Sequence, residues 1–199
     1  MRLTFVFFFL IIATLTSLAQ PSWKLVKEKN SIKVFTASTE QSKFKSIRVQ
    51  GTFDGTISRL IQIVTDVKDH PKWVYKAKNT QLVKQLNANE LIYYTQSSMP
   101  WPVSDRDVVI HLIINRNDAH HTLRIDSFSE AGHMEKQKGI VRIPYLKAHW
   151  SVTENGNKIF IDYTFEVDPG GSLPSWLVNM LADKGPYETF HNLEELLKA

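Results

Sequence analysis

Asp168-Pro169-Gly170-Gly171-Ser172-Leu173-Pro174-Ser175-Trp176-Leu177-Val178-Asn179-Met180-Leu181 is the stretch on which the architecture turns. Pro at the second and Gly at the third position of Asp168–Gly171 suit a type II turn. Ser172 is a candidate cap, and Pro174 suits the first turn of a helix. The spacing of Leu173, Leu177, Met180, Leu181, Tyr187, Phe190, Leu193 and Leu197 predicts one long helix from about Pro174 to Lys198. Gly185-Pro186 is expected to kink it.

Upstream of that turn the hydrophobic period is two. Residues 80–86, 90–97, 107–115, 121–127, 139–145, 149–153 and 158–167 read as strands. Asn87-Ala88-Asn89, Asn117-Asp118 and Asn155-Gly156-Asn157 supply turns between them, so a meander of antiparallel neighbours is expected. Nearer the N-terminus, residues 24–27, 32–38 and 44–53 also read as strands, with Gly51 allowing a bulge. Ile57, Leu60, Ile61 and Val64 mark an amphipathic helix over residues 57–67, and Asp69-His70-Pro71 breaks it before a short helical piece around Lys72–Tyr75. The class is α+β. A sheet apolar on one face needs a cover, and the last helix is the natural one. A curved sheet gripping that helix can enclose an apolar space.

The first nineteen residues are of a different kind. Arg2 is followed by a nearly unbroken apolar run from Leu3 to Leu15, and then by Ser17-Leu18-Ala19-Gln20. This is the pattern of a signal peptide cleaved after Ala19. The run is shorter than the roughly 20 residues of a membrane span, and no positive stop-transfer cluster follows it. Residues 20–199, about 180 residues, fit one domain by the usual size range. The expected location is outside the cytoplasm, periplasmic or secreted. With no cysteine in the chain, neither disulfides nor lipid attachment at a cysteine is available. The domain must therefore rely on its core.

A formal net charge of +4 is a mild excess and argues against nucleic acid as a partner. The cations are densest at Lys24, Lys27, Lys29, Lys33, Lys43, Lys45 and Arg48. They read either as the solvated face of strands or as a patch for transient contact with an anionic membrane surface. No nucleophile elbow, phosphate-binding loop or zinc-protease spacing occurs, and no cofactor, metal or catalytic residue is expected. Asp66, Asp69 and His70 read as capping and turn residues. Asp105-Arg106-Asp107 reads either as acid-base machinery or as an ion-pair knot at a strand start.

Met99-Pro100-Trp101-Pro102-Val103-Ser104-Asp105-Arg106-Asp107-Val108-Val109 resembles a signature of START domains, the StAR-related lipid-transfer family, whose members carry P-[WF]-P-x-S-x-R-D-hydrophobic at this point. Lys138–Arg142, the strand 159–167, the turn and helix quoted above, and Glu188–Leu193 follow the family's order. The resemblance runs from about Trp23 to Leu197. It implies a helix-grip fold, in which a curved antiparallel β-sheet wraps a long C-terminal α-helix around a tunnel. It also implies non-enzymatic binding, or transport, of a lipid or other hydrophobic small molecule; a monomer is expected. Several members carry an arginine six residues after that of the R-D pair; here the position is Leu112.

On this reading Tyr94, Val108, Ile110, Leu112, Arg142, Leu177, Met180 and Leu181 line the tunnel. Val108, Ile110, Leu112 and Ile114 share one face of a strand, so the pocket is expected to be drier than one carrying the arginine. Arg142 or His133 could supply a replacement polar group. Two rivals stand beside it. An enzyme on the same scaffold, a cyclase, hydrolase or isomerase, would need Asp107, His111 or His133 to point inward. An interaction module would have a filled core.

Overall fold

The computed structural model describes residues 22–39 and 42–198; the expected leader, residues 1–19, lies outside them. The order is β1 (Lys24–Lys29), β2 (Ile32–Thr39), β3 (Ser42–Asp54), α1 (Ile57–Thr65), α2 (His70–Trp73), β4 (Ala77–Asn87), β5 (Glu90–Ser97), β6 (Arg106–Asn117), β7 (Thr122–Ser129), β8 (Val141–Arg142), β9 (Tyr145–Asn155), β10 (Lys158–Asp168) and α3 (Ser175–Lys198). The strands form one sheet in the order β1-β2-β3-β10-β9-β7-β6-β5-β4, with β8 on the start of β6. All neighbours along that path are antiparallel, whereas β8 runs parallel to β6. The meander expected from residue 80 onward is therefore present, its first strand starting three residues earlier at Ala77, and β3 closes against its last strand.

Strand alternation decides what the sheet buries. Val49 pairs with Tyr163, Tyr163 with Trp150, Trp150 with Ile125, and Ile125 with Ile114, so one apolar row crosses five strands on one face. The other face is polar over β3, β10, β9 and β7, where Arg48 donates to Asp162, and Asp126 accepts from Arg124 and lies 2.8 Å from His149 Nδ1. Over β5 and β6 it carries a small buried apolar cluster of Ile92, Tyr94 and Val109. The apolar face packs against α1 and α3. Phe190, Leu193 and Leu197 of α3 are almost wholly buried in the same cluster as Leu60, Phe53 and Trp150.

Local chemistry fixes the helix ends. Thr56 Oγ1 accepts the Arg59 amide at 3.1 Å, and Glu154 Oε2 accepts the Ile57 amide at 2.6 Å, satisfying two free donors at the start of α1. Arg59 Nε donates to the Leu196 carbonyl at 3.1 Å, placing a cation at the C-terminal end of α3. No helix among the described residues is long and apolar enough to cross a membrane.

Four local expectations are corrected. Gly51 makes no bulge, because β3 pairs with β10 without a break through Gly51↔Ile161; a Cβ at Gly51 would lie 2.6 Å from the Phe53 ring, which explains the missing side chain. The α1 helix ends at Thr65, two residues early, and a 3-10 turn follows at Val67–Asp69. Asp69-His70-Pro71 opens α2 rather than merely breaking a helix, since a proline in a first turn loses no hydrogen bond. The expected strand 139–145 shrinks to Val141–Arg142, between Gly139 at φ 82° and Pro144, while β9 starts four residues earlier than expected.

Leu193 is fully buried between α3 and the sheet. Leu193→Ala is expected to lower stability by about 2–5 kcal/mol. Leu25→Ala, on the exposed edge strand, should stay within about 0.5 kcal/mol. Urea unfolding followed by circular dichroism measures both.

Candidate functional site

Between the apolar face of the sheet and α3 lies a cavity of about 320 Å3. That falls within the roughly 300–1,000 Å3 of small-molecule sites. Strand β6 supplies Val108, Ile110 and Leu112; β9 and β10 supply Ala148, Trp150, Tyr163 and Phe165; α3 supplies Val178, Leu181, Ala182, Pro186 and Phe190. The aromatic wall is contiguous, with Trp150 and Tyr163 ring centres 4.7 Å apart and Phe190 5.3 Å from each.

A few polar groups interrupt this wall. Tyr93 and Tyr163 line it, and burial pushes both phenols up, so they stay protonated as neutral donors. Thr95, Ser97 and Ser127 add hydroxyls. His70 is buried, with Nε2 2.9 Å from the Val64 carbonyl and its ring edge-on to Tyr93 at 5.1 Å. Burial pulls its imidazole pKa down, against the opposing pull of the Val64 bond and of Asp66 and Asp69. Arg106 also lies on the wall, and no Asp or Glu is among the described residues that line it.

The structure separates the eight residues expected to line the tunnel. Val108, Ile110, Leu112 and Leu181 come together on the cavity wall. Leu177 is fully buried but lies off that wall, and the side chain of Met180 lies outside the described ones. Tyr94 and Arg142 are on the opposite face. Register is the reason: Tyr93 pairs with Ile110, so Tyr93 points inward and Tyr94 outward. The Tyr94 hydroxyl donates to Asp107 Oδ2 at 3.2 Å, and burial with the Asp107 charge pushes its pKa up to about 12. Arg142 grips the same carboxylate at 2.7 and 3.0 Å.

The residues an enzyme would need face the same way. Asp107 is held by Arg142 and Tyr94, His111 Nε2 lies 2.6 Å from Glu90, and His133 Nε2 lies 2.9 Å from Glu130; none of the three lines the cavity. Nor do Asp105, Arg106 and Asp107 form a knot. Asp105 pairs with Lys78 at 2.7 Å, Asp107 pairs with Arg142, and Arg106 turns inward. Among the described residues, His191, Glu194 and Glu195 are close enough together to hold a metal ion, but the Lys198 ammonium already sits 3.0 and 3.2 Å from the two carboxylates. Sequence reading missed Tyr93, Tyr163, Trp150, Arg106 and His70 as wall residues. For Arg106 a signal existed, since it precedes Val108, Ile110 and Leu112 by steps of two.

The START domain family matches residues 12–198. The chain belongs to this family. A curated but uncharacterized protein of Pseudomonas aeruginosa is 32% identical over 172 residues, 86% of this START chain and 84% of the relative. The phosphatidylcholine transfer protein of Bos taurus is 27% identical over 177 residues, 85% of the chain and 81% of the relative. The solved StAR-related lipid transfer protein of Xanthomonas axonopodis superposes with a TM-score of 0.81 at 26% identity, covering 89% of this chain and 99% of that one. The helix-grip architecture is thus shared with START structures, and its motif residues 99–109 lead into the strand that forms one cavity wall.

His70 couples this START cavity to pH. Its folded pKa lies below the ordinary value, so the unfolded chain takes up the proton first as pH falls. Stability is therefore full above about pH 6.5 and declines from there toward the folded value. Urea midpoints measured from pH 7 to pH 5 are expected to fall more steeply for the wild type than for His70→Phe.

Proposed function

We propose that the domain binds one lipid or other hydrophobic small molecule in the cavity between sheet and α3, as a non-enzymatic carrier. The observation that carries this reading is the wall itself, whose aliphatic and aromatic side chains leave space instead of closing on each other. Removing apolar ligand surface from water there yields about 25 cal/mol per Å2. A tail can therefore be held without specific chemistry, while the tyrosine and serine hydroxyls orient the polar end. Two relatives point the same way, since lipid or phosphatidylcholine transfer is part of their names. Against an enzyme stands the outward commitment of Asp107, His111 and His133.

The carrier is proposed to act as a diffusing monomer outside the cytoplasm, after a leader of residues 1–19 is removed. Arg2, the apolar run to Leu15 and the small residues Ser17 and Ala19 support that reading. Loading requires contact with a membrane. The Met99–Asp105 loop is the proposed surface, because Trp101 is 91% exposed at its tip while Met99, two residues away, lines the cavity. Tryptophan partitions into the membrane–water interface.

Native mass spectrometry of gently purified protein, followed by lipid extraction, tests the main reading; a stoichiometric co-purified lipid is expected, and an empty, collapsed core would sink it. Leu112→Arg puts a charge into the dry wall and is expected to lower lipid occupancy about tenfold or more. Trp101→Ala is expected to reduce co-sedimentation with phospholipid vesicles.

A further inference from the structure

Among the described residues Arg106 is the one arginine of this cavity wall, and its surroundings are unusual for a charge. It is 2% exposed, yet among the described residues no carboxylate pairs with it. Its acceptors are three backbone carbonyls: Ser104 from Nη1, Pro169 from Nε at 3.4 Å and Gly170 from Nη2 at 3.2 Å. A guanidinium has five N–H donors, so two are left over. The acids on either side in sequence are engaged elsewhere. Asp105 accepts from Lys78, the Met99 amide and Gln96, and Asp107 accepts from Arg142 and Tyr94. Burial pulls the Arg106 pKa down, with only the Asp105 charge opposing.

A buried cation faced only by carbonyl dipoles lacks the compensation that burial of charge demands. There is room for that compensation. Beside the guanidinium the chain runs through Gly170 and Gly171, and among the described residues a Cβ at Gly171 would meet only Arg106 Nη2 within 4 Å, at 3.9 Å. The wall also carries Lys45 and no acid among the described residues. Arg106 sits on the face of β6 that continues into Val108, Ile110 and Leu112, so a charged group at Arg106 has an apolar strip running away from it.

Building on the carrier reading above, we infer that the cavity takes an amphiphile with an anionic headgroup, carboxylate or phosphate, whose oxygens are received by the free N–H groups of Arg106. The fork of a guanidinium matches two oxygens of either group, and the pair gains strength where water is excluded. The tail then lies along Val108, Ile110 and Leu112. This assigns Arg106 a specificity role in addition to its hold on the Pro169–Gly170 turn that leads into α3.

The test uses delipidated full domain and three single-chain probes of equal length: hexadecanoate, hexadecyl phosphate and hexadecanol. Isothermal titration at neutral pH is expected to show one or both anions binding about tenfold or more tighter than the alcohol. Which anion leads separates a carboxylate ligand from a phosphate one. Equal affinity for all three overturns the anionic assignment and leaves the carrier reading intact. Binding of none overturns both. Arg106→Met is expected to abolish the preference while Lys45→Met keeps it, and the reverse result overturns the role of Arg106. Where Arg106→Met does not fold, the wild-type probe series decides by itself.

Discussion

One helix covers a sheet far wider than itself, and most of the architecture follows from that mismatch. Nine strands at about 4.8 Å spacing make a sheet roughly 40 Å across, whereas a helix with its side chains is about 10–12 Å thick. The sheet's apolar row cannot be buried by α3 if it stays flat. It must curve around the helix, with α1 and α2 closing part of the remaining gap. At the end of α3 that carries Leu193 and Leu197 the packing is dense. Along Val178–Pro186 the sheet is not filled to the helix, and the cavity occupies the difference.

The same geometry sorts the polar groups. A strand in this sheet sends alternate residues to opposite faces, one turned toward the cavity and one turned away from it. Asp105 and Asp107 turn to the other face and pair there with Lys78 and Arg142, Asp105 partly exposed and Asp107 buried. Arg106 goes inward and, among the described residues, finds only carbonyls as acceptors. Three consecutive charges thus end as two structural pairs on one face and one uncompensated cation on the other. Parity of the strand produces a functional asymmetry that the composition of the segment does not contain. Gly171 matters here, because a Cβ at that position would lie beside the guanidinium, 3.9 Å from Arg106 Nη2.

Much of the fold was legible. The turn residues around Asp168–Gly171, the helical spacing through Leu197 and the period-two runs located most elements to within a few residues. They did so because local propensity and burial agree in those segments. The errors fell where tertiary contact outweighs local signal. Gly51 reads as a bulge until the Phe53 ring is seen lying over it. Residues 139–145 read as a strand, although only Val141 and Arg142 take up strand pairing with β6.

The sequence by itself determined which residues share a face, since alternation along a strand is a local property: Val108, Ile110 and Leu112 were grouped correctly from spacing alone. It also determined that a long helix follows the Asp168–Gly171 turn and that START-like segments lead up to it and run into it. Only the tertiary structure decided which neighbouring strand's residues join that face. Tyr93 rather than Tyr94 enters the cavity because β5 pairs Tyr93 with Ile110, and a slip of one residue would have exchanged them. Pairing register and the distance left between sheet and helix are set by the packing of the whole domain. No stretch of β5 or β6 read alone carries that information.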